Sequence, residues 1–166
     1  MLRKVRIRIV TDRVESHERL FDPMQAAPGP STREEKPEHL EMTVEGRYHD
    51  DGDRVSISYH ESELTGMAGS TTTVSFRKNE QGLISMLRHG TVKTALVFEA
   101  KRRHVCVYET PVMPFEVCVY TRSVTNALER EGTLRMDYTV ELRGAQAEQT
   151  RFSLTLLPDF DKPQAR

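Results

Sequence analysis

Period-two alternation of apolar and polar residues runs through most of this chain, and it limits the possible folds more than any other feature of the sequence. Successive side chains of a strand point to opposite faces, so such runs are stable as pleated surfaces with one face in a core. Val5, Ile7 and Ile9 share one face of a first strand, and Arg6 and Arg8 take the other. In a second strand, Leu40, Met42, Val44, Gly46 and Tyr48 oppose Glu41, Thr43, Glu45 and Arg47.

Turn chemistry tests the register, since a one-residue slip would put an apolar face in water. In "YHDDGDRV" the Asp51-Gly52 pair suits a two-residue type I′ turn that matches Asp50 with Asp53. Counting outward sets Tyr48 against Val55, Gly46 against Ile57, Val44 against Tyr59 and Met42 against Glu61. A four-residue "NEQG" loop sets Phe76 against Ser85 and Val74 against Leu87. A tight "HG" turn sets Leu87 against Val92, Ser85 against Thr94 and Leu83 against Leu96. Further strands are expected at about 104–110, 113–122, 133–143 and 150–157, with a short helical turn in "SVTNALEREG". Some ten antiparallel strands in sequence order are too many for a flat sheet. The expected fold is therefore all-β, an antiparallel up-and-down barrel of about 8–10 strands, favoured over a sandwich.

At 166 residues the chain fits a single domain with its own core. Residues 15–39, "ESHERLFDPMQAAPGPSTREEKPEH", hold four of the eight prolines and break the alternation, which predicts a long flexible excursion between the first two strands. The tail "PDFDKPQAR" is expected to fray. Lys and Arg total 24 against 25 Asp and Glu, so no overall field attracts nucleic acid. The N-terminus lacks a signal peptide's apolar run, and no window reaches the roughly 18 apolar residues of a membrane span. These features predict a cytoplasmic protein that uses no membrane, with its two cysteines as reduced thiols.

The stretches "YHESELTGMAGSTTTVSF", "LRHGTVKTALVFEAKRRHVCVYETP" and "VYTRSVTNALEREGTLRMDYTVELRG" resemble DUF1934, the YwiB-like family of small bacterial proteins of unknown function, over most of residues 40–155. The resemblance implies a calycin-like, or lipocalin-like, β-barrel in the cytoplasm of Gram-positive bacteria, and it supplies no activity, ligand or catalytic residue. Arg88, Gly90, Tyr108, Thr110, Pro111 and Thr121 fall on its recurring positions. In "TPVMPF", Val112 and Met113 stand where a glycine usually follows the Thr-Pro pair.

Parity places Tyr59 and Glu61 on the inward face with Val55 and Ile57, and a carboxylate there needs a partner or a raised pKa. Tyr48, Ser85, Thr94, Thr121 and Tyr138 also fall inward by alternation. A barrel of this size has room for one small ligand, and a few polar groups among aliphatics are what a specific pocket requires. The plainer alternative is that Tyr and Thr are good strand formers and that Glu61 reaches water at the barrel rim. Arg88, on the face opposite Leu87 and Val92, is either an anion-binding guanidinium at the rim or a surface arginine bracing an acidic strand. Thr71, Thr73 and Ser75 read as a solvated strand face.

Cys106 and Cys118 stand opposite each other if their connection is centred on Val112, though the expected compartment favours free thiols. The histidines at 17, 39, 49, 60, 89 and 104 do not converge, so no metal is expected. Neither a nucleophile elbow nor a phosphate-cradling Gly-rich loop is present, so no catalytic residue or cofactor is nominated. Two readings lead, and a third, a hydrolase or isomerase, stays open only because a barrel can host any chemistry. One is a non-enzymatic barrel that binds a small, partly apolar ligand. The other is a filled barrel that associates with another protein or with itself as a homodimer, through an outward row of Cys106, Tyr108, Cys118 and Tyr120.

Overall fold

The structure, a computed structural model, describes residues 1–16, 37–142 and 146–158. Ten strands follow one another: β1 (Leu2–Ser16), β2 (Glu38–Asp50), β3 (Arg54–His60), β4 (Thr71–Arg77), β5 (Glu80–His89), β6 (Lys93–Glu99), β7 (Arg103–Glu109), β8 (Pro114–Ala127), β9 (Thr133–Leu142) and β10 (Gln146–Leu157). A single helical turn, α1 (Leu128–Glu131), joins β8 to β9 within the expected stretch. Each strand pairs antiparallel with its chain neighbours, and β10 returns to β1, so the barrel is closed and up-and-down, of the expected calycin-like kind. The predicted excursion at 15–39 falls mostly outside the described residues, as does the tail beyond Pro158; its margins are strand, since β1 runs to Ser16 and β2 begins at Glu38. Among the described residues, no helix is long and apolar enough to cross a membrane.

Three turns depart from the expected registers. Between β2 and β3 the pairs are Asp50↔Val55, Tyr48↔Ile57 and Gly46↔Tyr59, two residues away from the type I′ count. The cause is side-chain capture of the backbone: Asp51 Oδ1 accepts from the N–H groups of Asp53 (3.0 Å) and Arg54 (2.7 Å), which favours a wider loop over the tight hairpin. A slip of two keeps parity, so the inward faces hold.

The β4–β5 hairpin slips by one, and parity is lost. Arg77 pairs with Glu80 across a two-residue turn, and an irregularity between Ser75 and Arg77 leaves Val74 opposite Met86 and Ser75 opposite Ser85. Ile84, Met86 and Arg88 therefore point inward, while Ser85 and Leu87 point outward. The β5–β6 connection is also wider than an "HG" turn, with Arg88↔Thr94 and Met86↔Leu96. On β7 and β8 the pairs Cys106↔Val117 and Val105↔Cys118 put the two thiols on opposite faces, both free. Their connection is the four residues between Glu109 and Pro114, so it centres half a residue short of Val112.

The interior is graded along its axis. Where β1, β3 and β9 begin, the lumen is packed solid with Phe76, Phe98, Leu128 and Leu134. Gly46 makes room there, because a Cβ would run into Ile7 and lie 2.7 Å from the Ser58 carbonyl oxygen. The opposite end is polar, and it opens into a cavity.

Candidate functional site

Register assembles the polar end as two inward belts. Tyr59 faces Thr72, Thr72 faces Arg88, Arg88 faces Thr94, Thr94 faces Tyr108 and Tyr108 faces Phe115, one residue from each of β3 to β8. On the far side of the lumen, Thr121 faces Tyr138, Tyr138 faces Thr150 and Thr150 faces Arg13. A cavity of about 380 Å³ lies between them, lined by the polar Arg13, Arg88, Tyr138 and Glu148 and by the apolar Leu96, Val117, Val140 and Leu142.

The segment after β3 covers this end. Glu61 leaves the strand with its N–H bonded to the Ser70 carbonyl (2.9 Å), and the chain then makes one 3-10 turn at Glu63–Thr65. The cover returns over the β5–β6 connection, where the Thr91 hydroxyl donates to the Ala68 carbonyl and the Val92 N–H to Ser70 Oγ. Gly90, at φ +138°, permits this approach, since a Cβ there would collide with the Gly69 carbonyl oxygen. Met67 is thereby buried against the cavity, near the Tyr108 hydroxyl.

Beneath the cover, Glu61 is enclosed, its side chain 2 % exposed. The Thr72 hydroxyl donates to its Oε1 at 2.6 Å, and Arg88 Nε lies 3.8 Å from the same oxygen. Among the described residues, Glu61 Oε2 and Arg88 Nε are buried without a hydrogen-bond partner. Arg88, 11 % exposed, borders both Glu61 and the cavity. Burial pushes the Tyr59 phenol well above its usual range, with the Glu61 charge adding to the shift and Arg88 opposing it. Burial likewise raises Tyr138, against the pull of Arg88 and Arg13. Both phenols thus stay protonated and remain donors. Arg13 Nε lies 3.6 Å from Glu148 Oε1 at the mouth.

The sequence candidates divide on these positions. Tyr59, Glu61, Arg88, Thr94, Thr121 and Tyr138 come together at one end, Arg88 by the inward face that its parity had denied it. Tyr48 points inward but packs at the opposite, filled end, with Arg3 4.7 Å over its ring. Ser85 lies on the outer face, opposite Ser75 and Val97. Thr72, Arg13, Glu148 and Thr150 were not singled out, although Thr72 shares parity with Val74, and Arg13 continues the Val5, Ile7, Ile9 face. The outward row of Cys106, Tyr108, Cys118 and Tyr120 also changes: Cys106 and Tyr108 turn inward, and Val105 (71 % exposed) and Val107 (52 %) take their place outside.

The model of the family described as "Domain of unknown function (DUF1934)" matches residues 29–154. Among solved structures, the crystal structure of the ywiB protein from Bacillus subtilis is similar with a TM-score of 0.62 and 17 % identity, covering 93 % of this chain and 94 % of that one. No curated protein matches the chain.

Proposed function

The chain belongs to the DUF1934 family, and from that premise we propose that it is a non-enzymatic binding protein of the bacterial cytoplasm whose barrel takes one small, partly apolar molecule. The observation that carries this reading is the cavity of about 380 Å³ whose lining combines the polar Arg88 and Tyr138 with the aliphatic Leu96, Val117 and Val140. Its size is at the small end of ligand pockets, which combine apolar lining with a few placed polar groups in this way.

Native mass spectrometry of the gently purified protein, set beside its denatured mass, tests the proposal. The expected result is a stoichiometric extra mass that denaturation releases, absent from a Leu96→Trp variant whose indole fills the cavity. A bare mass, together with no saturable binding of an apolar fluorescent dye that Leu96→Trp abolishes, would overturn it. The second reading, self-association, is supported by Val105 and Val107 standing exposed side by side on the outer face of β7. The same spectra would show it as a dimer mass.

A further inference from the structure

We infer that the molecule held in this cavity carries a carboxylate, received by Arg88 and Tyr138, on a compact apolar body. The inference rests on the pocket reading above and names the chemistry of its occupant.

Arg88 is the deepest cation at the cavity. Arg13, the other guanidinium on the wall, sits nearer water and stands 3.6 Å from Glu148, much as Arg88 stands from Glu61. Among the described residues, Glu61 is the acid that pairs with Arg88, 3.8 Å from its Nε, and that nitrogen makes no hydrogen bond. The Glu61 oxygen nearest Arg88 is already taken by the Thr72 hydroxyl at 2.6 Å. Glu61 therefore anchors the arginine electrostatically and leaves its planar fork of donors for an acceptor on the cavity side, where Tyr138 adds a hydroxyl kept protonated by burial. A planar two-oxygen acceptor fits that fork, and a charged one makes shorter, stronger bonds than a neutral carbonyl.

The balance of charge narrows the class further. Among the described residues, the charged side chains at the cavity are Arg13, Arg88 and Glu148, with Glu61 behind Arg88. A dianion such as a phosphate monoester would leave a large uncompensated negative charge in a low-dielectric space, whereas a single carboxylate can share Arg88 with Glu61. Beyond the head group the walls are Leu96, Val117, Val140 and Leu142, with the Tyr108 and Phe115 rings stacked at 5.1 Å, which suits an aliphatic or aromatic body without further charge.

Equilibrium titration of the full chain with naphthoate and with decanoate, each beside its neutral primary amide, tests this. The expected result is that at least one carboxylate binds about tenfold or more tightly than its amide, as a charge-assisted bond implies. Arg88→Met is expected to erase the preference while amide binding survives, and Arg88→Lys to restore part of it. Because Arg88→Met leaves Glu61 unpaired, the Arg88→Met/Glu61→Gln double variant is measured alongside and is expected to show the same loss. Equal binding of acids and amides would overturn the carboxylate head and leave the pocket standing. Absence of binding by all four probes would overturn both readings.

Discussion

Replacing Thr72 with valine keeps the shape of the side chain and removes the hydroxyl that reaches Glu61 Oε1 at 2.6 Å. Because Glu61 is enclosed and its other oxygen has no partner, the carboxylate would keep its desolvation cost and lose its one hydrogen bond. Thr72→Val is therefore expected to destabilise the protein by about 1.5–3 kcal/mol, the range for a hydrogen bond to a charged group. Chemical denaturation measures it, and a change below about 0.5 kcal/mol, the scale of a neutral surface substitution, would mean that Glu61 finds another donor. The inward parity of Glu61 was legible in the sequence because Val55, Ile57, Tyr59 and Glu61 share one parity in a strand with no competing apolar set; its enclosure beneath the cover, in place of a wet rim, was not. Nor was the inward face of Arg88. In "LISML" both parities are apolar, {Leu83, Leu87} against {Ile84, Met86}, and no count of hydrophobic residues separates them. What decides is an irregularity between Ser75 and Arg77 that composition does not announce.

At the scale of elements, two of the three hairpins that left the expected register have side chains that capture the backbone, while the β4–β5 hairpin slipped at the irregularity between Ser75 and Arg77. Asp51 widened the β2–β3 turn, and the hydroxyls of Ser70 and Thr91 widened the β5–β6 connection by tying it to the cover. Thr110 does similar work in "TPVMPF": its hydroxyl accepts from the Val112 and Met113 N–H groups and donates to the Met113 carbonyl, so this turn closes without the usual glycine. Gly90 has no such substitute. Its φ of +138° and the collision that a Cβ would meet at the Gly69 carbonyl both act against any other residue. Gly90→Ala is expected to cost about 1–3 kcal/mol, the scale of strain at a disfavoured backbone conformation, and to lift the cover off Glu61. Thermal unfolding with near-ultraviolet circular dichroism reads both effects, and an unchanged melting temperature would show that the cover is held elsewhere.

Across the whole molecule, closure is uneven. β1 is matched to β2 and to β10 along most of its length, whereas β6 and β7 are matched, among the described residues, at Lys93↔Glu109 and Thr94↔Tyr108 alone. Past those pairs the Cys106 thiol turns back to the His104 carbonyl of its own strand, at 3.9 Å. Of the amides in Ala95–Phe98 and Val105–Val107, those that point toward the β6–β7 seam rather than into the ladders with β5 and β8 are expected to exchange with solvent at least about tenfold faster than those in the middle of β1 and β2, since few ladder bonds hold them shut. Equal protection around the ring would refute this. Alternation and strand count were enough to foresee a barrel; the loosely joined seam was not foreseeable, because it depends on how ten strands share one circumference. The tight seam, where Arg6 meets Leu157 and Ile9 meets Leu154, joins the first strand to the last. On the ribosome, β1 therefore waits with one edge bare while nine strands are translated after it. The ring closes in a single late event, and in the interval that edge is open to any other nascent chain with a strand to offer.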